Sequence, residues 1–219
     1  MNAKLCGLKI KLCGLRRQED VQYVNEFIPD YVGFVFADSK RKVSPDMALS
    51  LIRSLNRNIR TVGVFVNEDV DSIVLITQHV GLDVIQLHGD EDAQYISNIR
   101  HTLPKAEIWK AIRVRDEKSI ILADSLPVHK LLLDAFSMEA YGGTGRTTDL
   151  KLIKALRSKM SKPFFMAGGL DINNIKNAAD AVLPYGVDIS SGIETDDCKD
   201  KEKIKAVVQL VKGMRGEGI

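Results

Sequence analysis

Eight times along this chain a short apolar run is followed by a stretch with helical periodicity, at intervals of roughly 25 to 30 residues, and nothing else in the sequence restricts the fold as tightly. The runs fall at 8–12, 31–37, 61–66, 83–87, 108–112, 129–133, 162–166 and 185–189. YVGFVFA at 31–37 and LLL at 131–133 are almost continuously hydrophobic, which marks parallel strands covered on both faces rather than antiparallel strands with one wet face. Parallel neighbours need crossovers, and the intervening segments supply them. Glu19 and Asp20 open a helix that Pro29 stops; Ser44 with Pro45 reads as an N-cap followed by a first-turn proline, with helix to about residue 56. Further helices are expected from Asn67-Glu-Asp to 79, over 91–100, 117–123, 149–160, 172–179 and 201–212. The fifth is the weakest. Eight strand–helix units are the element count of a (β/α)8 TIM barrel, whereas a doubly wound sheet of this length stops at five or six strands.

A chain of 219 residues suits one such barrel, and no Pro/Ser-rich tract or charge block divides it, so residues 1–219 are expected to be a single domain. Residues 1–7 read as an irregular N-terminal extension, and 213–219 as frayed. Lys and Arg number 31 against 29 Asp and Glu, scattered singly, which argues against nucleic acid as a partner. Three cysteines, Cys6, Cys13 and Cys198, are an odd number without pairing or zinc spacing; a reducing, cytoplasmic setting and no metal are expected. Lys4, Lys9 and Lys11 interrupt the N-terminal apolar residues, no run has the length of a membrane helix, and no membrane partner is expected. Monomer and homodimer both remain open.

In a barrel the strand ends collect on one face, and chemistry-bearing residues fall there. Asp134 closes the sixth strand and could donate a proton, ligate a metal or cap the segment after it. Cys13 closes the first; a free cysteine is often a small buried hydrophobe, but followed by Gly14 at a strand end it points at the mouth, where a thiol can act as base or nucleophile. The pentad KLCGL occurs twice, at 4–8 and 11–15, and only the second leads into a turn and a helix start. Arg41 could fork onto a substrate carboxylate, or belong to the solvated run SKRK. His88 and Gln86 share a strand face. Gly168-Gly169 and Ser190-Ser191 end units seven and eight, the two loops between which barrels hold phosphate; the plain alternative is two ordinary turns.

Taken in order, Lys11-Leu-Cys-Gly-Leu15, Gly33-Phe-Val-Phe-Ala37 with Arg41 and Val43-Ser-Pro45, Val62-Gly-Val-Phe-Val-Asn67, Gln86-Leu-His-Gly89, Leu132-Leu-Asp134, Gly142-Gly-Thr-Gly-Arg146, Ala167-Gly-Gly-Leu170 and Val187-Asp-Ile-Ser-Ser-Gly192 with Glu194 resemble the phosphoribosylanthranilate isomerase family over essentially the whole length. The resemblance implies Cys13 as general base, Asp134 as general acid and Arg41 on the anthranilate carboxylate. It also implies that Gly168, Gly169, Ser190 and Ser191 hold the phosphate, that Gln86, His88 and Gly143 line the substrate, and that no cofactor is needed. The expected reaction is an Amadori rearrangement of a phosphorylated small-molecule substrate.

Three features depart from the family pattern. The loop between Phe36 and Arg41 is one residue short, so the register of Arg41 against Lys42 rests on the following Val43-Ser-Pro45. Thr148-Asp-Leu150 replaces Phe-Asp-Trp, and Asp196-Asp-Cys-Lys-Asp200 stands where a Pro-Gly is usual. Two other readings remain. A different phosphosugar barrel, such as an epimerase or indole-glycerol-phosphate synthase, draws on Lys110 but finds no partner glutamate at a strand end. A non-catalytic barrel would be expected to have lost Cys13, Asp134 or the phosphate loops.

Overall fold

The computed structural model describes residues 7–134 and 145–215, the side chains of 145–149 excepted. Cys6 and Gly143, with the glycine turn at 142–144, lie outside the described residues. Eight parallel strands, β1 (Lys9–Cys13), β2 (Tyr31–Val35), β3 (Arg60–Phe65), β4 (Val84–Leu87), β5 (Glu107–Arg113), β6 (Lys130–Asp134), β7 (Phe164–Ala167) and β8 (Gly186–Ile189), close into a barrel in sequence order. Closure is the β1–β8 pairing, with Lys11 opposite Asp188 and Leu12 opposite Ile189. Between the strands run α1 (Gln18–Phe27), α2 (Pro45–Arg53), α3 (Val70–Val80), α4 (Ala93–Thr102), α5 (Glu117–Ser125), α6 (Gly145–Leu156) and α7 (Ile175–Val182), and α8 (Lys201–Arg215) ends the series. After β8 comes a single 3₁₀ turn, Ser191–Ile193, then a two-stranded hairpin of β9 (Glu194–Thr195) and β10 (Cys198–Lys199).

The caps follow from local chemistry. Ser44 Oγ accepts from Met47 N at 3.2 Å with Pro45 at the first helical position, as the sequence predicts. Asp92, not Glu91, caps α4; Glu91 folds back to accept from Gly89 N and Asn67 N. The weak fifth unit is a helix held by a capping box of Asp116 and Ser119, and its blurred periodicity comes from Ile121 and Leu122, exposed side by side. The C-terminal helix continues through Gly213 to Arg215, whose guanidinium reaches Leu8 O and the Asp30 carboxylate and ties α8 to the floor of the barrel.

Alternation along the strands sorts the core into two compartments. Outward residues, such as Ile10, Leu12, Val32, Ile85 and Leu131, pack beneath the helices. Inward residues build a smaller cluster of Tyr31, Val62, Val84, Trp109, Ala111, Leu132, Phe165 and Ala167. Below it, at the N-terminal ends of the strands, Glu107 accepts from Lys130 Nζ at 2.6 Å, Arg60 Nη1 at 2.7 Å and Trp109 Nε1 at 2.9 Å. Burial alone would push this carboxyl up, but the donors outweigh it and hold it at about 2. A carboxyl depressed in the folded state stabilises the fold above its ordinary value of 4.5, and that contribution is lost as pH falls toward about 2. Glu107→Gln is therefore expected to lower stability at neutral pH and to flatten the loss of stability between these two values, measured by urea unfolding across the acid range. An unchanged slope would assign the acid sensitivity elsewhere, first to Glu194, also held at about 2.

Candidate active site

The upper mouth of the barrel is built from the last inward residue of each strand. Lys9, Lys11 and Cys13 share the inner face of β1 while Ile10 and Leu12 go to the outer core. Cys13 is buried and paired with Gly33 of β2. Beyond it the chain turns at Gly14 with φ +86, and a Cβ there would meet Arg41 Cδ at 2.5 Å, so only glycine fits. Gly14 N and Leu15 N both donate to Gly33 O, at 2.8 and 3.1 Å, and hold the turn against β2.

Asp134 ends β6 opposite Ala167, separated from β1 by the two strands β7 and β8. Its Oδ1 is buried with no hydrogen-bond partner among the described residues. Gln86 Oε1 on β4 is in the same condition, while its Nε2 lies 3.5 Å from His88 Nδ1. Burial pushes the His88 imidazole below its ordinary value; Asp134 and Asp188 pull it up, Lys11 and Lys110 push it down again, and the ring is held neutral at pH 7. Unsatisfied buried acceptors cost stability, and two of them facing one mouth mark places where a ligand's donors can be received.

Arg41 stands at this mouth forked onto a protein carboxylate. Its Nε and Nη2 donate to Glu194 Oε1 and Oε2 at 2.8 and 2.6 Å, leaving the Nη1 donors outside the fork. Glu194 also accepts from Lys199 Nζ at 2.7 Å, and the same ammonium donates to Ser190 O at 3.0 Å. Burial pushes Lys199 below its ordinary value despite Glu194, whereas Glu194, which burial would raise, is held at about 2 by Arg41 and Lys199. The hairpin that carries Glu194 and Lys199 is strapped to the first two loops: Arg16 donates to Asp197 O and Lys40 O, Arg17 to Lys199 O, and Lys40 pairs with Asp197.

On the other side, Gly168 and Gly169 turn with φ +88 and +59, a pair of left-handed residues that only glycine adopts without strain. Gly168 directly follows the residue paired with Asp134. Ser190 follows Ile189, the partner of Leu12, and its hydroxyl donates to Cys13 O at 3.2 Å; this ties the end of β8 to the end of β1. Ser191 opens the 3₁₀ turn and is exposed.

Four charged residues of the mouth have roles that sequence reasoning misses. Lys11 and Asp188 form a buried ion pair of 2.9 Å inside the barrel, and Glu194 and Lys199 brace Arg41. The usable signal for the first pair is parity: Lys11 is two residues from Cys13 and so shares its face. Lys110 is corrected in the opposite sense. Trp109 and Ala111 point inward, so Lys110 points out of the barrel, where it pairs with Glu91 at 3.1 Å and donates to Gly89 O at 2.6 Å. It braces the loop after β4 and gives the synthase reading no support.

Residues 10–210 match the family model described as N-(5'phosphoribosyl)anthranilate (PRA) isomerase. The N-(5'-phosphoribosyl)anthranilate isomerase of Thermoanaerobacter pseudethanolicus is 45% identical over 208 residues, covering 95% of this chain and 100% of its own length. The crystal structure of phosphoribosyl anthranilate isomerase from Thermotoga maritima superposes with a TM-score of 0.82 at 35% identity, over 94% of this chain and 99% of that one. A phosphoribosyl anthranilate isomerase solved with reduced 1-(o-carboxyphenylamino)-1-deoxyribulose 5-phosphate gives 0.80 at 32% identity, with the same coverage of both chains.

Proposed function

We propose, on the premise that this chain belongs to the phosphoribosylanthranilate isomerase family and catalyses its Amadori rearrangement, that Cys13 is the general base of the reaction and Asp134 its general acid. The reaction, a step of tryptophan biosynthesis, converts N-(5'-phosphoribosyl)anthranilate into 1-(2-carboxyphenylamino)-1-deoxyribulose 5-phosphate. Asp134 protonates the ribose ring oxygen as the bond from it to C1 breaks, and the anthranilate nitrogen's lone pair completes a Schiff base. The Cys13 thiolate then takes the proton from C2; the C–H electron pair becomes the double bond of an enolamine, which tautomerises to the ketone. Each transfer is of the kind worth about 10²- to 10⁴-fold, and an anchored phosphate keeps C1 and C2 between the two groups.

The observation that carries this reading is a buried thiol and a buried carboxylate oxygen, the latter without a partner among the described residues, ending two strands of one closed ring on the same side. The phosphate is received by the backbone after β7 and β8, at Gly168, Gly169 and Ser191. The Ser190 hydroxyl, already donating to Cys13 O, contributes by fixing that turn. Neutral His88 and the free Gln86 oxygen face the sugar hydroxyls. Arg41, held by Glu194, turns its unused Nη1 donors to the anthranilate carboxylate. The enzyme acts in the cytoplasm, as a monomer or a homodimer that light scattering distinguishes.

The test is the anthranilate fluorescence of freshly made substrate, which is expected to decay catalytically on mixing. Binding without turnover would favour the non-catalytic barrel. Arg41→Lys keeps the charge but not the fork, and is expected to raise KM roughly tenfold to a hundredfold with kcat changed far less. A fall in kcat at unchanged KM would remove Arg41 from substrate binding.

A further inference from the structure

The geometry points to Lys11 as a positioning residue for the base: its ammonium, held inside the barrel by Asp188, is the fixed positive charge against which the Cys13 thiolate forms and is oriented toward the sugar. The inference rests on the assignment of Cys13 as base and goes beyond it. Lys11 is completely buried, two residues below Cys13 on the same face of β1. Both side chains lie on the bare backbone of Gly33: a Cβ placed there would be 2.8 Å from Cys13 Sγ and 3.3 Å from Lys11 Cε. The missing side chain of Gly33 is what lets the sulfur and the lysine stem sit side by side.

A buried ammonium without partners would lose its proton. Here burial pulls Lys11 down, but the Asp188 carboxylate and the Cys13 sulfur, which both interact with it, outweigh burial and leave it above its ordinary value. It stays an ammonium while the sulfur takes up and gives back the sugar proton. Asp188 Oδ1 accepts one of the three ammonium donors, at 2.9 Å, so donors remain for the sulfur. Among the described residues, the other charged or titratable groups around Cys13 are Arg41 and Lys199, both engaged by Glu194, and, across the mouth, neutral His88 and Asp134. Lys11 is the one cation of this set that sits below the thiol on its own strand, away from the path of a substrate entering from above.

A buried ion pair with a purely structural role is the competing account, and removing one partner alone would confuse the two by stranding a charge. The double variant Lys11→Met/Asp188→Asn removes both charges at nearly constant volume. Three quantities are read: kcat/KM against pH, the rate of Cys13 alkylation by iodoacetamide against pH followed by peptide mass spectrometry, and affinity for a reduced product analogue. The expected result is native-like analogue affinity with kcat reduced about tenfold or more, the acid limb of the rate profile displaced to higher pH, and slower alkylation below neutral pH. Wild-type activity and alkylation profiles in the folded double variant would overturn the inference. If that double variant does not fold, Lys11→Gln/Asp188→Asn, which removes the same two charges and keeps polar side chains facing each other, is read in its place, and wild-type activity and alkylation profiles there overturn the inference. The two readings fail separately, because alkylation reports Lys11 whether or not Cys13 is the base, whereas full activity of Cys13→Ala would refute the base assignment alone.

Discussion

Asp134→Asn and Cys13→Ala are each expected to lower kcat by about 10²- to 10⁴-fold while leaving affinity for a product analogue nearly unchanged. Asparagine has the shape of the carboxyl but no proton to give. Because Asp134 Oδ1 has no hydrogen-bond partner among the described residues, the exchange breaks no contact there that holds the barrel together. Cys13→Ala removes one sulfur from a strand end whose backbone is independently fixed by Ser190 and Gly33, so the mouth keeps its shape. Loss of kcat and of kcat/KM in equal measure is the signature of an interaction used in the transition state rather than in binding. The double variant is expected to be little worse than the poorer single one, since both groups serve successive steps of one rearrangement and their effects do not add. Stopped-flow fluorescence of the anthranilate group measures all three. A variant that raises KM at constant kcat would turn its residue into a binding group, and one with full activity would remove it from the mechanism.

The barrel was legible because each β/α unit carries its own signal. The eight apolar runs coincide with the eight strands to within a residue or two, and Ser44 with Pro45 caps α2 as expected. The sequence blurred element ends more than elements. α6 begins at Gly145 rather than 149, through Gly-Arg-Thr-Thr, in which the glycine and the two threonines lower helix propensity. α8 passes through Gly213 because Arg215 is anchored on Asp30. Period-two alternation assigns Cys13, His88 and Asp134 a face at their strand ends, but leaves open what each one does there. The role of a loop residue has no such rule. Nothing near Arg41 in sequence announces Glu194, 153 positions on, and only the closed barrel with its strap of β9 and β10 brings them together. Lys11 was legible in principle from its parity with Cys13, but lysine on a first strand reads as a solvated charge until Asp188 is seen opposite it.

Trp109→Ala is expected to be the most destabilising single change in the barrel interior, by about 3–5 kcal/mol, while sparing the chemistry at the mouth. The indole is completely buried at the centre of the inner cluster. It stacks on Phe165 with centroids 4.6 Å apart and meets Tyr31 edge-on at 5.0 Å, and Lys130 Nζ lies 5.5 Å over its ring. Truncation opens a cavity between strands that are held in register all round the ring and cannot close over it. It also takes one donor from Glu107, whose remaining donors, Lys130 and Arg60, keep it ionised at neutral pH. Since a domain of this kind is stable by only about 5–15 kcal/mol, the variant should unfold at a much lower urea concentration with an unchanged slope. At temperatures where it remains folded its kcat should stay close to wild type, because Lys130, the residue of β6 paired with Trp109, lies four positions before Asp134 at the strand end. Leu75→Ala, on the exposed face of α3, serves as the contrast and should change stability by no more than about 0.5 kcal/mol. Equal effects of the two substitutions would mean that the barrel's stability resides in its outer helical layer, and that the aromatic plug only fills space.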